Sequence, residues 1–172
     1  MKVTGYQLMR ALKELAFAKE AAEGVFDDSL WKFDDEEKPT PGVAAVAYFN
    51  AEGAFAQVQS AQAIYNQAVK VKVEDTEMAL ALAVKLVGGA GRMEKKWRDI
   101  TKPKKKDSWD LDESLSRRRD EGSEYAKQQI SFKEAQTLAK EAAKYASALR
   151  EAVQVGNSTK VEIEGLDPAL FG

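Results

Sequence analysis

Two clusters of side chains in this chain have the types and the spacing to act on something else. The first is basic: Arg92, Lys95, Lys96, Arg98, Lys102, Lys104, Lys105 and Lys106 fall within fifteen positions, with Trp97 among them and Trp109 just beyond. Cations flanking a stacking aromatic are the electrostatic footprint of a site for single-stranded nucleic acid or another anionic ligand. Arg92, Lys95, Lys96, Trp97 and Arg98 are its candidate residues. The overall balance opposes that reading, since the chain carries a formal charge of −2. The basic run is also answered at once by Asp107, Asp110, Asp112 and Glu113. The second cluster is acidic: Asp27, Asp28, Asp34, Asp35, Glu36 and Glu37 surround Trp31 and Phe33. Two patches of opposite sign, each bearing an aromatic anchor, suit self-association as well as either suits a foreign ligand. Placed head to tail they would build rings or filaments; placed side by side they would only close the fold.

Other chemistry is excluded more sharply. The 172 residues contain no cysteine and no histidine. Disulfides, thiolate nucleophiles, ordinary zinc ligation and imidazole acid–base catalysis are therefore absent. Carboxylates, lysines and tyrosines remain, but no pair stands at a spacing that forces proximity, so the expectation is a non-enzyme without cofactor or metal. Gly88-Gly89-Ala90-Gly91 resembles a phosphate-cradling loop in composition only. Such a loop must leave a strand and open a helix, whereas helical periodicity runs into this cluster from its N-terminal side. A close helix crossing or a bend is the simpler expectation. Asp110, Asp112, Ser114 and Glu121 match a calcium-loop spacing, yet Leu115 stands where the loop needs glycine and Arg117, Arg118 and Arg119 crowd it. Asn157-Ser158-Thr159 has the glycosylation spacing but reads as a turn.

The elements that must position these residues are mostly helical. Hydrophobic residues make up 44% of the chain and charged residues 31%, with 27 alanines tilting it toward helix. The start of the sequence shows no apolar signal region, and no stretch is long enough to span a membrane. A soluble cytoplasmic protein is expected. Thr4 and Gln7 have the spacing of a capping box, with Val3 and Leu8 as its hydrophobic staple. Leu8, Leu12, Leu15, Ala22 and Phe26 then form one stripe of a first helix. Pro39 and Pro41 open a second, whose inner face holds Ala51, Ala54, Val58, Ala61, Tyr65 and Ala68. These two helices should form an antiparallel hairpin.

Val69 to Val73 alternates and predicts a short strand. Asp75 or Thr76 should then cap a third helix reaching about Ile100. Residues from Thr101 to about Ser123 are expected to form a charged loop. Ser131 and Glu134 repeat the capping-box spacing and open a fourth helix, in which Ala135, Leu138, Ala142, Tyr145, Leu149 and Ala152 keep a heptad rhythm. Thr159 to Glu164 alternates again. Its Glu162 and Glu164 complement Lys70 and Lys72 of the first strand, so the two strands are expected to pair, within a chain or between copies. Each cross-strand ion pair would contribute about 0.2–1 kcal/mol.

The run Tyr65-Asn66-Gln67-Ala68-Val69-Lys70-Val71-Lys72-Val73, followed by Thr76 to Trp97, resembles the septicolysin-like group of small helical proteins. The resemblance covers about a third of the chain and implies a coiled helical scaffold with an inserted hairpin. Glu74-Asp75 departs from that group, which carries glycine in the turn, and no residue here supports carrying over a lytic activity. The expectation is thus a mainly α protein: one antiparallel helical bundle or hairpin of about four helices with one short two-stranded β element. It should work as a self-assembling structural protein, with Trp31, Phe33, Asp34, Asp35, Lys70, Lys72, Glu162 and Glu164 in the self-contacts. Its expected partner is itself; the alternative is a sponge for a nucleotide or nucleic acid.

Overall fold

A computed structural model describes residues 1–101 and 129–171. These form four α-helices, α1 (Gly5–Ser29), α2 (Pro41–Ala68), α3 (Leu80–Ile100) and α4 (Phe132–Ser158). Four short strands accompany them: β1 (Lys2–Val3), β2 (Lys70–Val73), β3 (Thr76–Ala79) and β4 (Val161–Glu162). The mainly helical class expected from composition is the class observed. The chain gathers into two compact units, one of Met1–Val84 with Glu151–Gly172, the other of Lys85–Arg150.

In the first unit α1 and α2 form the expected antiparallel hairpin. The capping box at its start is complete: the Gln7 N–H donates to Thr4 Oγ1 at 3.2 Å and the Thr4 N–H to Gln7 Oε1 at 2.9 Å. The staple partners Val3 and Leu8 are both fully buried. Along α2, Ala44, Tyr48, Ala51, Phe55, Val58, Ala61 and Tyr65 are buried or half-buried at steps of three and four, the rhythm of a coiled-coil seam. Leu8, Leu12, Leu15, Lys19, Ala22, Phe26 and Ser29 answer from α1. Phe26 stacks on Tyr48 at 6.4 Å between ring centres. Lys19 occupies a seam position, where its ammonium lies 3.2 Å from Glu52 and 5.2 Å from the centre of the Phe55 ring. Hydrogen bonding and charge attraction from Glu52 raise the Lys19 pKa above its ordinary value. A lysine that finds its counter-ion at one seam position only fixes the register of the two helices.

The strands depart from expectation. Val69 to Val73 is a strand, but β2 does not pair with the segment carrying Glu162 and Glu164. It turns back on β3 in an antiparallel hairpin, with Lys72 opposite Glu77 and Lys70 opposite Ala79. Residues 76–79, expected as the opening of a helix, are therefore strand, and α3 begins at Leu80. The Leu80 N–H donates to the Val69 carbonyl at 2.8 Å, so the ladder hands directly into the helix. β4 pairs instead with β1, placing Glu162 opposite Lys2. Charge alternation did foretell cross-strand complementarity; each strand finds it in a partner different from the one proposed. Local sequence separation explains the first case, because a two-residue loop closes with far less entropy loss than a return of 90 residues.

All four strands converge on one knot. The Tyr65 hydroxyl, fully buried, reaches the carbonyls of Gly156 at 2.6 Å and Thr159 at 2.7 Å. Both belong to the end of α4 and its exit turn, where carbonyls lack helical partners. Burial raises the Tyr65 pKa, and the Gly5 amide facing the phenolic oxygen pulls it partly back. Two glycines make the approach possible. A Cβ on Gly156 would lie 2.8 Å from both Leu80 Cδ1 and Val71 Cγ1, and one on Gly5 would lie 2.5 Å from Asn157 Oδ1. Asn157 is itself buried there, so the glycosylation spacing at 157–159 sits at a packed helix end.

Tyr65→Phe should lower stability by about 1–3 kcal/mol in urea unfolding, since it strips the buried carbonyls of their donor. The wild type should also lose stability above about pH 10, where unfolded tyrosine ionises but the buried phenol resists. With its folded pKa raised, this contribution is complete below the unfolded value and is lost as pH rises through the raised folded value; the phenylalanine variant should show a shallower alkaline decline. The turn of the β2–β3 hairpin offers a second check. Glu74 adopts φ of +53°, a left-handed conformation that favours glycine. Glu74→Gly should raise the melting temperature by roughly 2–4 °C.

Candidate interaction surfaces

The tip of the α1–α2 hairpin carries the acidic aromatic cluster. Trp31 is 81% exposed and Phe33 77% exposed, on the segment 30–40 that joins the helices. That segment is braced from within. The Phe33 N–H donates to Glu36 Oε2 at 3.1 Å, the Glu36 N–H returns to the Phe33 carbonyl at 3.2 Å, and Lys38 Nζ bonds the Trp31 carbonyl at 3.2 Å. Lys38 also pairs with the Glu36 carboxylate at 3.1 Å. The Phe33 amide first, then Lys38, hold the Glu36 pKa below the usual carboxylate range. With the backbone fastened this way, the indole and phenyl rings stand in solvent beside exposed Asp34 and Asp35.

The flank of the same hairpin is also uncovered. Phe17, Val43, Val46 and Phe49 are all exposed. In the 28 residues of α2, Glu52 is the sole charged side chain. A helix with water on its outer face ordinarily carries charges there, while the cores of interfaces are depleted of them. Sequence reasoning read only the inner face of α2 and missed this one; the missing charges were the signal that could have found it.

The basic cluster is divided by its helix. α3 runs unbroken through Gly88-Gly89-Ala90-Gly91, neither bent nor opened, so its amides are held in the helical ladder and cradle no anion. Among the described residues, a Cβ on Gly91 would meet only the end of the Arg150 side chain, at 3.9 Å. Arg92, Lys95 and Lys96 share an exposed face with Lys85. Trp97 is half-buried and turned about 140° away from Arg92 at the helical rotation of 100° per residue. Arg98 bonds Glu94, whose other carboxylate oxygen lies 3.5 Å from Arg150 Nη2. On α3, Trp97 therefore faces away from Arg92, while Arg98 stands one turn from Lys95 on the exposed surface. Lys102, Lys104, Lys105, Lys106, Trp109 and the calcium-like spacing 110–121 lie outside the described residues.

Lys70, Lys72, Glu162 and Glu164 are all exposed, on two separate ribbons whose strands are paired within the chain. The second capping box is present, with the Glu134 N–H donating to Ser131 Oγ at 3.2 Å and the Ser131 N–H to Glu134 Oε2 at 2.9 Å. The expected α4 seam residues Ala135, Leu138, Ala142, Tyr145, Leu149 and Ala152 are each buried or half-buried. A depression beside Ile130, Thr137 and Leu138 is lined by this one segment and opens to solvent. Among the described residues no three acidic side chains gather to hold a metal ion, and no helix is long and apolar enough to cross a membrane. Comparison with family models, with curated proteins and with solved structures yields no match.

The brace at the tip makes a pH prediction. Glu36 has a lowered folded pKa, so its contribution is present above the ordinary carboxylate pKa and is lost as pH falls through the lowered value. In an NMR titration the Phe33 amide should follow Glu36 with a midpoint below that of an exposed glutamate. Lys38→Ala should move that midpoint upward, and Glu36→Gln should abolish the response.

Proposed function

We propose that this protein is a non-enzymatic, self-assembling scaffold whose contacts are made by the α1–α2 hairpin. The carrying observation is the combination, on one rigid coiled-coil arm, of solvent-facing aromatics at a braced tip and a nearly charge-free outer helix. Exposed apolar surface of this kind marks protein contacts, and tryptophan is among the most effective anchors. The anionic-ligand reading draws less support from the geometry, because Trp97 lies away from Arg92, Lys95 and Lys96.

Native mass spectrometry and sedimentation at moderate ionic strength test the proposal. The purified chain should form a defined or open-ended oligomer without added mass. Trp31→Ser with Phe33→Ser should weaken association about tenfold or more while leaving the helical circular dichroism unchanged. A monomer carrying a few hundred daltons per chain, lost in Arg92→Ala with Lys96→Ala, would overturn it in favour of ligand binding.

A further inference from the structure

The outer face of α2 has an internal order that goes beyond being apolar. Val43, Asn50, Gln57 and Ile64 stand seven residues apart, and all four are exposed. Val43 is 63% exposed and Ile64 54%. A seven-residue step keeps side chains on one line of a supercoiled helix, and the α1–α2 seam already imposes that rhythm on α2. The line therefore runs along the outer face of α2, about 130° round from the seam. Outer positions of a two-stranded coil are usually charged; these four carry no charge.

The order of side chains along the line is apolar, amide, amide, apolar. It reads the same from either end, about a midpoint between Gly53 and Ala54. That symmetry is what a twofold contact demands, because each residue i then meets a residue j whose own copy meets i. Laid antiparallel against itself, the line sets Val43 against Ile64 of the second copy and Asn50 against Gln57 of the second copy, each twice. The apolar pairs bury surface, and the amides can each supply a donor and an acceptor to the other. Gly53, where an added Cβ would meet nothing within 4 Å, leaves room for close approach at the axis. A nucleic acid or a charged peptide would find no counter-charge on this face.

We infer that a second copy of this chain packs antiparallel along α2, through the line Val43–Asn50–Gln57–Ile64, in a twofold dimer of hairpins. This rests on the self-association reading and specifies its geometry. The unit so formed would have four helices, two from each copy.

Charge pairs placed on the line test it in the full chain. Val43→Glu with Ile64→Glu should set like charges opposite each other at both ends and weaken dimerisation at least about tenfold, as read by sedimentation across a concentration series. Val43→Glu with Ile64→Lys should restore the dimer in low salt and lose it again in high salt. Positions 43 and 64 are roughly 30 Å apart along one helix, so rescue can arise only between copies. Circular dichroism of both variants should match the wild type, since Val43 and Ile64 are both exposed. A wild type that stays monomeric at every concentration overturns the self-association reading itself. A wild type that associates, with the double glutamate variant unaffected, leaves that reading standing and overturns this face as the interface. Loss without rescue overturns the antiparallel register.

Discussion

A single phenolic hydroxyl holds the ends of three helices in place. Tyr65 sits near the end of α2, reaches the last carbonyls of α4, and faces the first amide of α1. Helix ends carry unsatisfied backbone groups, and burying them without partners is costly. One side chain that meets carbonyls at one end and an amide at another solves that problem. The close approach needed for it excludes a side chain at Gly5 and Gly156, and the aliphatic residues Val3, Leu8, Val71, Val73 and Leu80 close around the result. The two β ribbons are then clamps on the knot: β1–β4 fastens the start of α1, and β2–β3 leads α2 into α3.

Away from the knot the first unit changes character. The seam of the arm is made mostly of alanines and half-buried side chains, with a lysine within it, and little of it is fully enclosed. Two helices alone present too little surface to enclose a core, which is why helical layers normally find a third or fourth neighbour. The braced tip and the neutral flank of α2 are the features on which the proposed self-association rests. The internal hydrogen bonds of segment 30–40 matter here, because a fastened loop loses less entropy on binding than a loose one.

Much of this fold was legible in the residues. Both capping boxes, the staple, the helical hairpin and the buried line of α4 follow from local patterns whose physics is local. What was not legible depended on pairing over distance. Alternation at 69–73 and 159–164 identified strands, but charge alone could not say which strand meets which, and the helix-forming residues Glu77, Met78 and Ala79 are held as strand by pairing with β2. The basic run illustrates a different limit. In sequence Trp97 is adjacent to Lys96, yet one helical step turns it to another side, so closeness along the chain did not become a shared surface. Tyr65 was marked as a core residue; that its hydroxyl would serve two carbonyls 91 and 94 positions away had no signature at all.

The pairing of β1 with β4 also bears on how the chain reaches this state. Met1 N donates to the Ile163 carbonyl and the Ile163 N–H to the Met1 carbonyl, each at 2.9 Å, across a separation of 162 residues. The α1–α2 hairpin, by contrast, is built from contacts along a single turn-back of the chain. Contacts between neighbours in sequence form early, whereas closing so long a loop must wait for most of the ordering entropy to be lost. The β1–β4 ribbon is thus the most entropically demanding pairing in the unit, and the α1–α2 hairpin a far less demanding one.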